Sequence, residues 1–266
     1  MARALIVGNW KMHGLRSAWT EVARIAEAAR HSHHAIALCP PATLIHDFSK
    51  KLEGQALRLG AQDCHEAVQG AFTGDISAQM LADLGAHYVL VGHSERRRLH
   101  GETDELVRQK YEAGASAGLV PILCVGETLA ERETGIWRDV LARQVQQSLP
   151  AQAGTIPGAS DRVIIAYEPV WAIGSGLQPP FAEMEVAIGW IREVFFHHVA
   201  RGAGQTSPRD NERLTILYGG SVRAENAASI LPLQGVGGLL VGGASVKALD
   251  FNAIIDVADQ ILPRIP

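Results

Sequence analysis

Residues 163–176 read Val-Ile-Ile-Ala-Tyr-Glu-Pro-Val-Trp-Ala-Ile-Gly-Ser-Gly. Five apolar residues, Val163 to Tyr167, run without polar alternation and are too few for a helix. A strand covered on both faces of a parallel sheet reads this way. The strand delivers one carboxylate, Glu168; Pro169 fixes the backbone behind it, and a loop with Gly174 and Gly176 at its far end follows. A carboxylate at a strand tip, beside an apolar loop able to cover it, suits a general base that must be kept from water. A surface glutamate at an ordinary strand end would look the same in isolation, so the rest of the chain decides.

Seven further short apolar runs share this pattern: Ala4–Val7, Ala35–Cys39, Leu57–Ala61, Tyr88–Val91, Val120–Val125, Leu214–Tyr218 and Val236–Val241. Segments with helical spacing lie between them. Ala18, Val22, Ile25 and Ala29 fall on one face of the segment after the first run, with Arg24, Glu27 and Arg30 off it. Thr128 and Glu131 form a capping-box pattern opening the helix after the fifth run, and Pro179-Pro180 suit the first turn of another. Eight strands alternating with helices predict an α/β fold, a (β/α)8 barrel, as a single domain over residues 1–266. An open doubly wound sheet is the alternative, though it usually carries fewer strands at this length. The polar or Gly-rich stretches Ala151–Asp161 and Arg201–Arg213 are expected as surface excursions at the end of the barrel away from the chemistry.

The 266 residues are 47% hydrophobic and 20% charged, as expected of a soluble globular chain. A formal net charge of −4 leaves no basic footprint for nucleic acid. No apolar run approaches the roughly 20 residues that cross a bilayer, and the N-terminus has no secretory pattern. The 3 cysteines are widely spaced without a C-x-x-C, which argues against a disulfide frame or a zinc site. Cys39 and Cys124 end apolar runs and are expected as buried, inert thiols. A cytoplasmic location follows from this reading.

Polar residues collect where the strands end. The first run leads to Gly8-Asn9-Trp10-Lys11, the fourth to Gly92-His93-Ser94-Glu95-Arg96 and the sixth to Glu168. The seventh leads to Gly219-Gly220-Ser221 and the eighth to Gly242-Gly243-Ala244-Ser245. In a barrel these carboxyl ends share one face, where active sites of the fold lie. The two Gly-Gly turns, each running toward a helix, expose backbone N–H groups suited to phosphate. His93 at a helix start is expected to stay neutral and donate a hydrogen bond. Trp10 and Met12 flank Lys11 and argue for a partly enclosed ammonium. His31, His33 and His34 are expected as a solvated loop, with no metal.

Five motifs in order identify a family. Gly-Asn-Trp-Lys-Met (8–12), Gly-His-Ser-Glu-Arg-Arg (92–97), Cys-Val-Gly-Glu-Thr (124–128), Tyr-Glu-Pro-Val-Trp-Ala-Ile-Gly (167–174) and Tyr-Gly-Gly-Ser-Val (218–222) closely resemble triosephosphate isomerase. The resemblance runs from Gly8 to about Lys247. It implies interconversion of dihydroxyacetone phosphate and glyceraldehyde 3-phosphate through an enediol(ate), without a cofactor. It implies Glu168 as the base, and neutral His93 as the group that polarises the carbonyl and shuttles protons. Lys11 would add positive charge, Asn9 would hydrogen-bond substrate oxygens, and Glu95 would support them. Backbone N–H groups of Gly174, Ser221, Gly242 and Gly243 would hold phosphate. Pro169, Val170, Trp171, Ala172, Ile173, Gly174, Ser175 and Gly176 would form the mobile loop. A homodimer is implied, with Phe72, Thr73 and His13 at its interface.

Three departures stand out. Leu177-Gln178-Pro179 replaces the family's usual Lys-Thr-Ala at the far end of the loop, and proline restricts both itself and Gln178, so altered loop exchange is expected. His13 and Asp63 stand where the family usually has asparagine, and a His13–Asp63 pair at the subunit boundary would link dimer strength to pH. Another phosphosugar barrel, an aldolase or epimerase, and a non-catalytic barrel scaffold are the competing readings. An aldolase would want a Schiff-base lysine rather than a lysine opposite a carboxylate base.

Overall fold

Both faces of each strand are covered, which is why the sequence shows no alternation. In β6 (Val163–Tyr167), Ile164 and Ala166 join a cluster with Leu5, Val7, Cys39, Ile122 and Leu217 inside a barrel. Val163, Ile165 and Tyr167 join the larger cluster between the strands and the surrounding helices. Small residues relieve the interior: a side chain at Gly60 would begin 2.6 Å from the Cys39 Sγ.

The chain is described by a computed structural model over residues 4–150, 162–174, 177–203 and 213–262. The excursion expected over 151–161 lies outside these residues, as does that over 201–213 except for 201–203 and 213. Ser175 and Gly176 of the expected mobile loop also lie outside. The other strands are β1 (Leu5–Asn9), β2 (Ala35–Cys39), β3 (Arg58–Ala61), β4 (Tyr88–Val91), β5 (Val120–Val125), β7 (Leu214–Tyr218) and β8 (Gly238–Val241). Each pairs in parallel with the next, and β1 pairs with β8, so the sheet closes as an eight-stranded barrel. The described helices are α1 (Trp19–His31), α2 (Ala42–Lys51), α3 (Ala78–Asp83), α4 (Ser94–His100) and α5 (Asp104–Ser116). They continue as α6 (Leu129–Glu133), α7 (Trp137–Ser148), α8 (Phe181–Ala203), α9 (Ala224–Ile230) and α10 (Ala248–Ile261). None is long and apolar enough to cross a membrane.

The capping box at Thr128 forms as expected and opens α6, which stops at Glu133; Gly135 turns left-handed at φ 81° and a second helix, α7, starts at Trp137. Two expectations need correction. Met12 is 95% exposed and encloses nothing within this chain, whereas Trp10 is fully buried. Of the three clustered histidines only His31 is well solvated; His34 is buried at 1% exposure and His33 donates toward Asp259 and the Leu262 carbonyl. Ligand atoms of His33, His34 and Asp259 lie within 4.8 Å of one another. Yet His34 Nδ1 accepts the Ala4 N–H at 3.2 Å, which puts the ring proton on Nε2 and leaves that atom no lone pair for a cation.

Candidate active site

The inside–outside alternation of the strands aims the polar residues at their tips. Leu5 and Val7 face the interior, so Asn9 does too; Ile164 and Ala166 do likewise, so Glu168, two residues on, enters the barrel mouth. His93 has the opposite parity to Leu90. Gly92, at φ 68°, turns the chain in the left-handed region and brings the imidazole inward. A side chain at position 92 would also strike Val107 at 2.7 Å.

His93 is only 5% exposed and caps α4: its Nδ1 accepts the Glu95 N–H at 3.2 Å. Nδ1 therefore carries a lone pair, and the ring proton sits on Nε2, which lies 3.0 Å from Glu168 Oε1. Burial works against a second proton on this ring, but the Glu168 carboxylate more than offsets it and draws the His93 pKa above the ordinary imidazole value. That direction runs against the neutral imidazole expected from the helix start, because the carboxylate facing the ring outweighs burial.

Glu168 is 2% exposed, and its second oxygen accepts the Ser94 N–H at 3.3 Å. Its surroundings leave no slack. A Cβ at Gly126 would sit 1.7 Å from the Glu168 carbonyl oxygen, and one at Gly219 would meet Glu168 Cγ at 2.8 Å. Lys11 Nζ donates to Glu95 Oε1 at 2.5 Å, with 26% of the lysine side chain exposed. Burial raises the Glu95 carboxyl, but the Lys11 ammonium reverses this and leaves it below the usual carboxylate value. Asn9 Oδ1 accepts the Lys11 N–H at 2.9 Å, so the Asn9 amide nitrogen is the part left to meet a ligand.

A cavity of about 700 Å³ opens between these tips, and Asn9, Lys11, His93, Glu168, Gly174, Ser221, Gly242 and Gly243 all line it. Glu95 stands outside it and reaches it through Lys11, by its carboxylate, and through His93, by its backbone N–H. The glycine turns after β7 and β8 line the same cavity, with Gly219 packed against Glu168, and precede α9 and α10. His13 also lines this cavity. The His13–Asp63 pair does not form within the chain: Lys110 holds both Asp63 oxygens at 2.9 and 2.8 Å, and Arg96 adds a contact at 2.9 Å.

The loop after Glu168 is anchored by a residue the sequence reading gave no role. Glu127, fully buried just beyond β5, accepts the Tyr167 hydroxyl and the Trp171 indole N–H, each at 3.1 Å. Its carbonyl takes the Val170 N–H at 2.9 Å. Burial pushes the Glu127 carboxyl up, partly countered by the Trp171 indole. Val170–Ala172 thus forms a single 3-10 turn pinned at its near end and closed at Ile173, after which Gly174 takes φ 67°. At the far end, Gln178 accepts from Asn226, whose amide also donates to the Ser221 carbonyl. Cys39 and Cys124 are buried at their strand ends, with the Cys39 thiol pushed up to about 12 by burial.

A sequence model of one family, triosephosphate isomerase, matches residues 4–258. The triosephosphate isomerase of Bradyrhizobium sp. (strain ORS 278) is 49% identical over 255 residues, covering 95% of this chain and 96% of that protein. That of Ruegeria pomeroyi is 45% identical over 262 residues, covering 98% and 99%. Among solved structures, the crystal structure of triosephosphate isomerase from Bartonella henselae superposes with a TM-score of 0.83 at 40% identity, covering 96% of this chain and 99% of that one.

Proposed function

The chain belongs to the triosephosphate isomerase family, and we propose that Glu168, His93, Lys11 and Asn9 carry out the family's aldose–ketose isomerisation in it. The protein interconverts dihydroxyacetone phosphate and D-glyceraldehyde 3-phosphate, a step of glycolysis and gluconeogenesis. The observation that carries the residue assignment is the 3.0 Å contact between Glu168 Oε1 and His93 Nε2 at the mouth of a cavity that Lys11 also lines.

The substrate phosphate lies against the backbone N–H groups of Gly174, Ser221, Gly242 and Gly243, with Lys11 contributing positive charge. The triose carbonyl takes the place of Glu168 opposite the His93 Nε2–H. Glu168 then removes a proton from the carbon beside the carbonyl. The C–H electron pair forms the carbon–carbon double bond, and the carbonyl oxygen takes the negative charge. His93 and Lys11 stabilise that oxygen. His93 gives it the Nε2 proton and takes one from the neighbouring hydroxyl, and Glu168 returns its proton to the other carbon. Asn9 holds the substrate oxygens, and Glu95 keeps the Lys11 ammonium in place. Closure of the loop from Pro169 to Gly176 keeps water from an intermediate able to expel its phosphate. The chemistry needs no cofactor and no metal.

The working protein, in this reading, is a cytoplasmic homodimer of single-domain subunits spanning residues 1–266. Exposed Met12, Leu15, Phe72 and Leu99, with His13 and Thr73, support a dimer face. A coupled assay of glyceraldehyde 3-phosphate isomerisation, run beside Glu168→Gln, tests the assignment: the parent turns over and the variant loses at least about a thousandfold. Comparable rates would remove Glu168 from the role of base. Sedimentation of the purified chain at micromolar concentration tests the dimer, and a monomer would refute it.

A further inference from the structure

Lys11 is the one non-glycine residue with positive φ among the described residues, at 51°. An L side chain disfavours this region, because Cβ crowds its own backbone, so the conformation persists only where the surroundings impose it. Two side chains do so here. Asn9 Oδ1 accepts the Lys11 N–H from one side, and Gln62 Nε2 donates to the Lys11 carbonyl at 2.8 Å from the other. The same Gln62 nitrogen donates its second hydrogen to the Cys39 carbonyl, also at 2.8 Å. Cys39 ends β2, and its carbonyl additionally takes the Trp10 N–H at 3.1 Å.

We propose that Gln62 is a positioning residue for the isomerisation, fixing the strained Lys11 backbone so that its ammonium stays beside the anion site. Gln62 follows β3 directly, so a rigid strand of the barrel supplies the clamp. Both hydrogens of its amide nitrogen are committed to carbonyl oxygens. A leucine or methionine fills similar space and donates nothing. Without the clamp, the Lys11 carbonyl is released and the backbone relaxes toward negative φ, swinging the side chain away from the cavity. The inference rests on Lys11 acting on the substrate, as assigned above.

A double-variant cycle tests it on the full chain, with Lys11→Ala, Gln62→Leu and the two combined. Each is assayed for kcat/KM and for inhibition by inorganic phosphate, with circular dichroism and thermal melting as the check on folding. Gln62→Leu is expected to lower kcat/KM by about 10- to 100-fold, the usual consequence of an ångström-scale misplacement, and to weaken phosphate inhibition. In the Lys11→Ala background the same substitution is expected to change kcat/KM by less than about twofold, because no ammonium remains to position. Losses that multiply in the double variant overturn the proposal, since Gln62 would then act through something other than Lys11. So does a Gln62→Leu enzyme with parental kcat/KM. If Lys11→Ala itself is fully active, the assignment of Lys11 fails first and takes this inference with it. Should Gln62→Leu not fold, Gln62→Met carries the same comparison.

Discussion

Shortening Glu168 by one methylene isolates the position of its carboxylate from its charge. Glu168→Asp draws the carboxylate back by about one carbon–carbon bond, roughly 1.5 Å. In the parent, Oε1 lies 3.0 Å from His93 Nε2 and Oε2 lies 3.3 Å from the Ser94 nitrogen. Neither bond survives a retreat of that size, because hydrogen bonds end near 3.5 Å. The same retreat separates the base from a substrate carbon held by the phosphate nests. An ångström of misplacement costs about a hundredfold, so about 10²- to 10³-fold is expected here. That equals about 2.7–4 kcal/mol of transition-state stabilisation. The lost contacts cost about 1–3 kcal/mol of stability, which lowers the melting temperature by several degrees in a chain of this size. Coupled-assay kinetics and a thermal melt read both effects. A kcat within about threefold of the parent, in a folded variant, would refute the reasoning.

Other substitutions probe separate parts of the account. Trp171→Phe keeps the ring but removes the indole N–H from Glu127 Oε1; it is expected to lower kcat/KM about tenfold with little change in melting temperature, and unchanged kinetics would show that the anchor is idle. Burial raises the Glu102 carboxyl, but Lys110 and Arg96 outweigh it and hold its pKa below the ordinary 4.5. A lowered carboxylate pKa contributes stability above the unfolded value and loses it as pH falls through the folded one. Glu102→Gln is therefore expected to cost about 1.5–3 kcal/mol at pH 7 and progressively less below pH ~4.5, read from urea midpoints; a cost that grows on acidification would contradict the sign. Gly189 sits exposed in α8, and a Cβ there meets nothing within 4 Å. Gly189→Ala is expected to stabilise by about 0.5–1 kcal/mol without touching kcat, and a lower melting temperature would count against the local geometry.

The barrel was legible because burial on both strand faces leaves an unmistakable mark, short apolar runs without alternation. Strand ends were less so. Sequence places the last run from Val236, but β8 begins at Gly238, whose backbone approaches Leu5 so closely that a Cβ would lie 1.9 Å from its carbonyl oxygen. Apolarity does not report such an approach. The cavity residues were readable because each sits just beyond a strand, where a barrel gathers them. Glu127 and Gln62 share that position, yet their roles depend on partners 44 and 51 residues distant in sequence, which no local pattern records. The partners of Asp63 within the chain were hidden for the same reason: Lys110 and Arg96 reach it from helices that follow β4. His34 reads as a polar loop residue, and only the tertiary structure shows it beneath the Ala4 backbone.

The central claim is that Glu168 moves a proton between two carbons and exchanges it through a base, rather than a hydride passing directly between them. Isomerisation of glyceraldehyde 3-phosphate in D2O, followed by NMR of the product, tests this most directly. The account predicts deuterium on the carbon that receives the transferred proton, with both turnover and labelling abolished in Glu168→Gln. Complete conversion to a product with no deuterium on that carbon, or labelling at the parental rate in Glu168→Gln, would contradict it.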